Sequence, residues 1–364
     1  MKILFLTNHL NVGGISSYLF NLATGLKAKD QLFVASSGGN TLPRLTALGV
    51  EHIRVPLNTK NEISWKIFIS ALICLKVIKD KKIDLIHSNS RTTQVLGCIL
   101  SRFSPAAHIS TCHGFFKKRF SRRMLPCWGD KVIAISQQVK EHLMRDFKVK
   151  ENRITLVHNG IDVARFTCPD ESAKLNKKSE LGLKDDIVIG ILARLSDVKG
   201  HKYLIEAMRQ VLKVYPKAQL LIAGEGKMEE ELRRQAQEIG GNVFFIPQAL
   251  DTRDLLSAMD IFVMPSLNEG LGLSLMEAMS MGLAVIGSSV GGIKTLIRPG
   301  LNGVLVEPAD PQAISQAIID LISDKQKARH FGINARKYIE NEFSLEKMVS
   351  NTREVYLRCL KRKG

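Results

Sequence analysis

The sequence predicts an α/β protein built as two doubly wound domains, and three observations carry that expectation. Short apolar runs of strand length alternate with helical stretches from residue 2 onward, which is the pattern of a parallel sheet covered on both faces. The alternation lapses after residue 162 and restarts at 187, in a chain of 364 residues that can fill two ordinary cores. Residues 261–282, I-F-V-M-P-S-L-N-E-G-L-G-L-S-L-M-E-A-M-S-M-G, read as a buried strand, a glycine-bearing turn and a helix.

Taken in order, Lys2 to Leu10 is the first expected strand. Gly13-Gly14 then opens a helix with Tyr18, Leu19, Leu22 and Leu26 on one face. Further strands are expected at Gln31 to Ser36, Ile53 to Leu57, Leu85 to Ser88, His108 to Cys112, Val132 to Ser136 and Ile154 to His158, with helices at Trp65 to Lys79 and Gln138 to Phe147. Residues 163–183 hold Pro169, several charges and little periodicity, and read as a linker. The second series of strands is Ile187 to Leu192, Leu220 to Ala223, Val243 to Pro247, Ile261 to Pro265, Ala284 to Gly287 and Gly303 to Val306. Helical spacing marks Ala313 to Ser323, Gln326 to Asn341 and Leu345 to Arg358.

Composition narrows the class. The chain is 45% apolar and 24% charged, as ordinary globular proteins are. Its six cysteines form no C-x-x-C pair and no His/Cys cluster suggests a metal, so a reducing, cytoplasmic setting is expected. The first apolar run is too short for a signal sequence, and Ile67 to Leu75 is too short to span a bilayer. Net charge is +17 and uneven: residues 1–180 hold 28 Lys+Arg against 13 Asp+Glu, while the rest hold 24 against 22. That asymmetry points to a polyanionic partner for the first half, such as a membrane surface, an acidic glycolipid or a nucleic acid.

The turn at 266–272 gathers backbone N–H groups and the positive end of a helix dipole, a ready place for phosphate. Glu269 in the turn and Glu277 in the helix are acceptors only, suited to hydroxyl donors. Phosphate and hydroxyl recognition together fit a sugar nucleotide, although solvated glutamates on an ordinary helix give the same letters. Arg194 and Lys199 lie between a strand end and the helix beginning near His201, where two cations suit a diphosphate. His113 ends a strand, where parallel sheets bind ligands. Gly13-Gly14 alone is a weak dinucleotide signal, since Ser36-Ser37-Gly38-Gly39 stands where a nicotinamide site wants an acidic residue.

Residues 261–282 resemble the E-x7-E region of glycosyltransferase family 4, the retaining group 1 transferases of the GT-B fold. The resemblance extends over nearly the whole chain, through Gly13-Gly14, His113-Gly114, Ala134-Ile135-Ser136, the N-G-I-D at 159–162, Arg194, Lys199 and Gly224-Glu225-Gly226. It implies two Rossmann-like domains facing each other across a cleft, with the C-terminal helix crossing back. Residues 1–165 would bind acceptor, 184–344 the nucleotide sugar, and 345–364 would pack on the first domain. The resemblance implies that His113 and Glu269 meet the donor sugar and that Arg194 and Lys199 hold the leaving diphosphate. The backbone of Gly270, Leu271, Gly272 and Leu273 would meet the diphosphate, and Glu277 the ribose. Gly13, Gly14, Asn159, Gly224 and Glu225 complete the expected binding set.

The expected activity is retaining transfer of a sugar from a nucleotide-diphosphate donor, UDP-linked by preference and GDP-mannose as the other option. The acceptor is a hydroxyl of a glycan or glycolipid, in lipopolysaccharide or other cell-envelope polysaccharide synthesis. No cofactor and no metal are expected, because no acidic cluster is placed beside the diphosphate residues. No carboxylate stands at the strand ends of the first half to act as an inverting base. The basic, aromatic stretch Phe115 to Arg123 is expected to dock on the anionic cytoplasmic face of an inner membrane, as a peripheral protein. Nucleic acid is not an expected partner, since no nucleic-acid module accompanies the charge. A nicotinamide oxidoreductase and a basic nucleic-acid-binding protein are the alternatives.

Overall fold

The computed structural model describes residues 1–118, 122, 125–247 and 251–361. They fall into two compact units, Met1–Gly160 with the segment from Leu345, and Ile161–Ser344. Each is a doubly wound Rossmann-like α/β domain.

In the first unit the strands are β1 (Lys2–Leu6), β2 (Gln31–Ser36), β3 (Glu51–Arg54), β4 (Leu85–Ser88), β5 (Ala107–Cys112), β6 (Lys131–Ala134) and β7 (Ile154–Leu156). They pair in parallel in the order β3-β2-β1-β4-β5-β6-β7. Between them run α1 (Gly14–Leu26), α2 (Leu42–Thr46), α3 (Trp65–Lys81), α4 (Arg91–Arg102) and α5 (Gln137–Phe147). The central strands β1 and β2 are apolar through their middles because both faces are covered. Ile3 and Phe5 of β1 enter one core with Leu19 and Leu22 of α1. Leu4 and Leu6, one residue out of phase, enter another with Ile67 and Cys74 of α3. Ser90 caps α4 by accepting from the Thr93 backbone while its own N–H donates to Thr93 Oγ1, a capping box.

The second unit holds α6 (Glu171–Glu180), β8 (Val188–Leu192), α7 (His201–Val214), β9 (Gln219–Ala223), α8 (Glu229–Gln237), β10 (Val243–Ile246) and α9 (Arg253–Ser257). It continues with β11 (Ile261–Met264), α10 (Leu273–Ser280), β12 (Ala284–Ser288), α11 (Ile293–Leu296), β13 (Val304–Val306), α12 (Pro311–Ser323) and α13 (Lys325–Glu342). The sheet order is β10-β9-β8-β11-β12-β13, all parallel. Ile189, Ile191, Leu220 and Ile261 meet Leu204 and Met208 of α7 and Ile314 and Ile318 of α12 in one core.

The stretch 163–183, read as a linker, instead carries α6. Asp170 caps it by accepting from the Ala173 N–H at 2.7 Å. Lys174 and Lys178 then anchor it to Asp260 at 2.5 and 3.2 Å. These are tertiary contacts, so no apolar periodicity was needed to hold the helix and none announced it.

The chain returns to the first unit as α14 (Leu345–Leu360), whose Leu345, Met348, Val355 and Tyr356 join the α1 core. Gly25 makes room for it, since a Cβ there would lie 2.4 Å from Val349. Arg353 reaches the buried carboxylate of Asp30 at 3.2 Å. The Tyr356 hydroxyl meets His87 Nδ1 at 2.6 Å, and His87 Nε2 meets Thr111 Oγ1 at 2.7 Å, so β4, β5 and α14 share one buried polar chain.

Burial pushes the His87 pKa down to about 3, with His113 and His108 adding repulsion. Between pH 6.5 and about 3 the unfolded chain binds a proton that the folded ring refuses. Stability is therefore full above pH 6.5 and falls on acidification through that window. At about pH 4.5 this ring alone costs the fold on the order of 2–3 kcal/mol. Urea unfolding of wild type and His87→Gln at neutral and acid pH is expected to show a flatter dependence in the variant; identical slopes would assign the acid sensitivity elsewhere.

Candidate active site

In the second sheet the chain steps from β8 outward to β9 and β10, then returns to the other side of β8 with β11. That reversal opens a crevice at the carboxyl ends of β8 and β11, where open α/β sheets take ligands. The two loops at this point are 193–200 and 265–272, which hold the Arg, Lys and Glu singled out from sequence.

The loops are pressed together at backbone level. Gly200 has φ +73°, and a Cβ there would lie 1.9 Å from the Pro265 carbonyl oxygen, so only glycine fits. The Leu267 N–H donates to the Val198 carbonyl at 2.8 Å. This contact brings Lys199 Nζ onto the Glu269 carboxylate as an ion pair, both side chains about one-fifth exposed or less. Arg194 is exposed on the same loop.

Gly272, at φ +103°, ends the turn and begins α10 without any side-chain cap, which leaves the first-turn N–H groups directed out of the helix end. Gly270 and Leu271 are buried beneath them. Gly292 donates its N–H to the Glu269 carbonyl at 3.0 Å, and a Cβ there would strike Gly270 at 2.3 Å, so the second glycine turn pins the first. The Ser274 hydroxyl donates to the Leu192 carbonyl at 2.8 Å and ties α10 to the end of β8. Glu277 is half-buried and accepts from Thr252 Oγ1 at 2.9 Å. Thr252 is a member of the site that sequence reading missed; it lies 25 residues away with no motif to mark it.

Gly224 and Glu225 lie in the loop after β9, which packs on the loop 193–200 at backbone level. A Cβ on Gly224 would lie 2.1 Å from the Ala193 carbonyl oxygen, and the Glu225 carbonyl accepts the Leu195 N–H at 3.0 Å. The loop after β9 thus braces the loop carrying Arg194 and Lys199, while the Glu225 side chain is exposed.

The first sheet has its own reversal between β1 and β4. Asn8, at the end of β1, donates to the carbonyls of Leu57 and Thr59 at 3.0 and 2.7 Å and accepts from Ser90 and Thr92. Buried Asn89 donates its amide to the His87 carbonyl at 3.3 Å, which leaves Oδ1 to accept from His113 Nε2 at 3.1 Å. The proton of His113 therefore sits on Nε2, and Nδ1 is left with its lone pair. Tyr18 meets the ring edge-on at 4.7 Å. Part of His113 stays open to solvent, yet enclosure of the ring pushes its pKa well below the histidine range, so it is a neutral imidazole at pH 7.

Gly13 starts α1 and Gly14 is its exposed first residue. Asn159 is buried where the chain leaves β7, and its Oδ1 takes no hydrogen bond among the described residues. The adjoining Gly160 donates to Met348 Sδ at 3.0 Å and accepts from Asn21 at 3.1 Å.

In the basic aromatic stretch after His113, Phe115 and Phe116 are partly buried while Lys117 and Lys118 are exposed. Phe115 packs edge-on against His142 at 5.2 Å, and Phe116 lies tilted against Trp128 at 6.1 Å. Lys118 pairs with Asp146 at 3.0 Å, and Arg122 lies over Phe116 at 4.4 Å. Arg119, Phe120, Ser121 and Arg123 lie outside the described residues.

Comparison with known proteins agrees with this architecture. Residues 12–165 match the family described as Glycosyltransferase Family 4, and residues 173–338 match Glycosyl transferases group 1. The chain is 30% identical to a GDP-mannose-dependent monoacylated alpha-(1-6)-phosphatidylinositol monomannoside mannosyltransferase of Corynebacterium glutamicum, across 95% of both chains. It is 27% identical to a UDP-Gal:alpha-D-GlcNAc-diphosphoundecaprenol alpha-1,3-galactosyltransferase of Escherichia coli, over 83% of this chain and 82% of that one. In fold it is similar to Anabaena Alr3699/HepE in complex with UDP-glucose, with a TM-score of 0.88, 22% identity, and coverage of 98% of this chain and 100% of the other. The chain belongs to the group 1 glycosyl transferases of glycosyltransferase family 4, and it is a glycosyltransferase.

Proposed function

We propose that the chain moves a sugar, with retention, from a nucleotide-diphosphate sugar to a hydroxyl of a glycan or lipid-linked acceptor in envelope polysaccharide or glycolipid synthesis. The observation that carries this reading is the pairing of Lys199 with Glu269 beside the uncapped start of α10. One point thereby offers a cation and N–H groups for a diphosphate and a carboxylate for sugar hydroxyls. In this reading the second unit binds donor, with Arg194 and Lys199 on the diphosphate, Glu269 on the sugar and Glu277 on the ribose. The first unit binds acceptor, and neutral His113 accepts a hydrogen bond at Nδ1 near the reacting sugar without serving as a strong base. The departing phosphate then takes the acceptor proton. A UDP-sugar is favoured, with GDP-mannose the second choice; relatives named for UDP-Gal and for GDP-mannose support both. The lipid-linked acceptors in the names of those two relatives support an acceptor at a membrane and peripheral residence there.

Thermal-shift titration against UDP-glucose, UDP-galactose, UDP-N-acetylglucosamine and GDP-mannose tests the donor. One of them is expected to raise Tm by several degrees at concentrations well above Kd, and the shift and the turnover are expected to persist in EDTA. If none shifts Tm, the donor reading falls; if EDTA abolishes turnover and Mg²⁺ restores it, the metal-free chemistry falls.

A further inference from the structure

Helix α3 is apolar on two faces. Ile67, Ala71, Cys74 and Ile78 fill the core under the first sheet. On the opposite face Trp65, Phe68, Ile69 and Leu72 are 65%, 64%, 39% and 71% exposed. Their i, i+3, i+4, i+7 spacing makes one stripe, and exposed Lys76 and Lys79 continue it. A helix covering a sheet ordinarily turns polar residues outward, so a solvent-facing stripe of this size marks a surface that meets something.

The charges around it say what. Residues 58–82 hold six lysines against two acidic residues, within a half-chain that is already strongly basic. The one glutamate at the head of the helix, Glu62, is neutralised by Arg91 at 3.0 Å and Arg122 at 3.8 Å. A tryptophan at one end, bulky apolar residues between and lysines able to reach outward fit the headgroup region of an anionic bilayer, where both chemistries are met at once. No helix among the described residues is long and apolar enough to cross a membrane. In the neighbouring basic stretch, Phe115 and Phe116 pack on His142 and Trp128.

We infer that the outer face of α3 is the element that seats the protein on an anionic lipid surface, with Trp65, Phe68, Ile69 and Leu72 inserted and Lys76 and Lys79 at the phosphates. This rests on the membrane residence proposed above and deepens it by naming the element that makes the contact. The segment leading into α3 is held by Asn8 at the carboxyl end of β1, so the inserted stripe begins at the same edge of the sheet as the His113 pair.

Flotation of the full chain with vesicles of phosphatidylcholine and phosphatidylglycerol at low salt tests this. Wild type is expected to float, and Phe68→Ser with Leu72→Ser to lower its partition coefficient about tenfold or more. Lys76→Ser with Lys79→Ser is expected to lower it several-fold and to weaken its salt dependence. Because these side chains face solvent, Tm and any sugar-nucleotide thermal shift are expected to match wild type. Absence of flotation overturns the inference, as does a Phe68/Leu72 variant that floats like wild type. A wild-type dimer that becomes monomeric in that variant overturns it too, naming a second copy as the occupant. A protein that floats through α3 yet responds to no sugar nucleotide would sink the donor reading alone.

Discussion

Glu269→Gln is expected to lower kcat by about a hundred- to a thousandfold, as loss of one charge-stabilising group at a reacting centre does, while nucleotide binding survives. The carboxylate is held by Lys199 and backed by the Gly292 N–H on its own carbonyl, so its position is set before substrate arrives. A sugar whose bond to phosphate is breaking gains positive character, and hydrogen bonds to a charged acceptor strengthen as it does. Glutamine keeps the shape and loses that gain, so kcat falls more than KM rises. The measurement is steady-state transfer with the donor found by thermal shift, together with the donor shift itself. Near-normal turnover would remove Glu269 from the chemistry.

Arg194→Ala and Lys199→Ala are each expected to cost about 2–4 kcal/mol of transition-state stabilisation, roughly thirty- to a thousandfold in kcat/KM. The two are not equivalent. Arg194 is exposed, so its loss falls at the lower end. Lys199 is mostly buried against Glu269, and its removal also leaves that carboxylate without its cation. Lys199→Ala combined with Glu269→Gln is accordingly expected to cost less than the two separate losses added together. Additive losses would mean that the two side chains act on separate parts of the substrate without coupling, and wild-type kcat/KM in both alanine variants would put the diphosphate elsewhere.

Much of the fold was legible because a parallel sheet buried on both faces writes itself as apolar runs. Gln31–Ser36 and Leu85–Ser88 begin and end where the runs do. Boundaries slipped where polar side chains take over from pairing. The first strand stops at Leu6 because Asn8 turns to hold other segments, while Leu10, apolar and fully buried, enters the same core as Ile3 and Phe5 from the loop beyond the strand. The site was legible in its residue types, since strand, glycine and helix must follow one another to make such a turn. Its pairings were not. Lys199 and Glu269 are 70 residues apart and meet only because β8 and β11 are neighbours across the reversal. The Asn89–His113 and Thr252–Glu277 contacts likewise depend on strand order, which a single sequence does not state.

Helix α14 also sets a schedule for the chain's birth. The ribosome finishes residues 1–160 long before it reaches Leu345, and the whole of Ile161–Ser344 is made in between. At roughly 5–20 residues per second that interval is on the order of ten to forty seconds. Throughout it the face of α1 beside Gly25 and the His87 chain wait for Val349 and Tyr356, and the carboxylate of Asp30 waits for Arg353. The second unit has all its strands in hand as soon as it emerges, so the half of the protein made first is the half completed last.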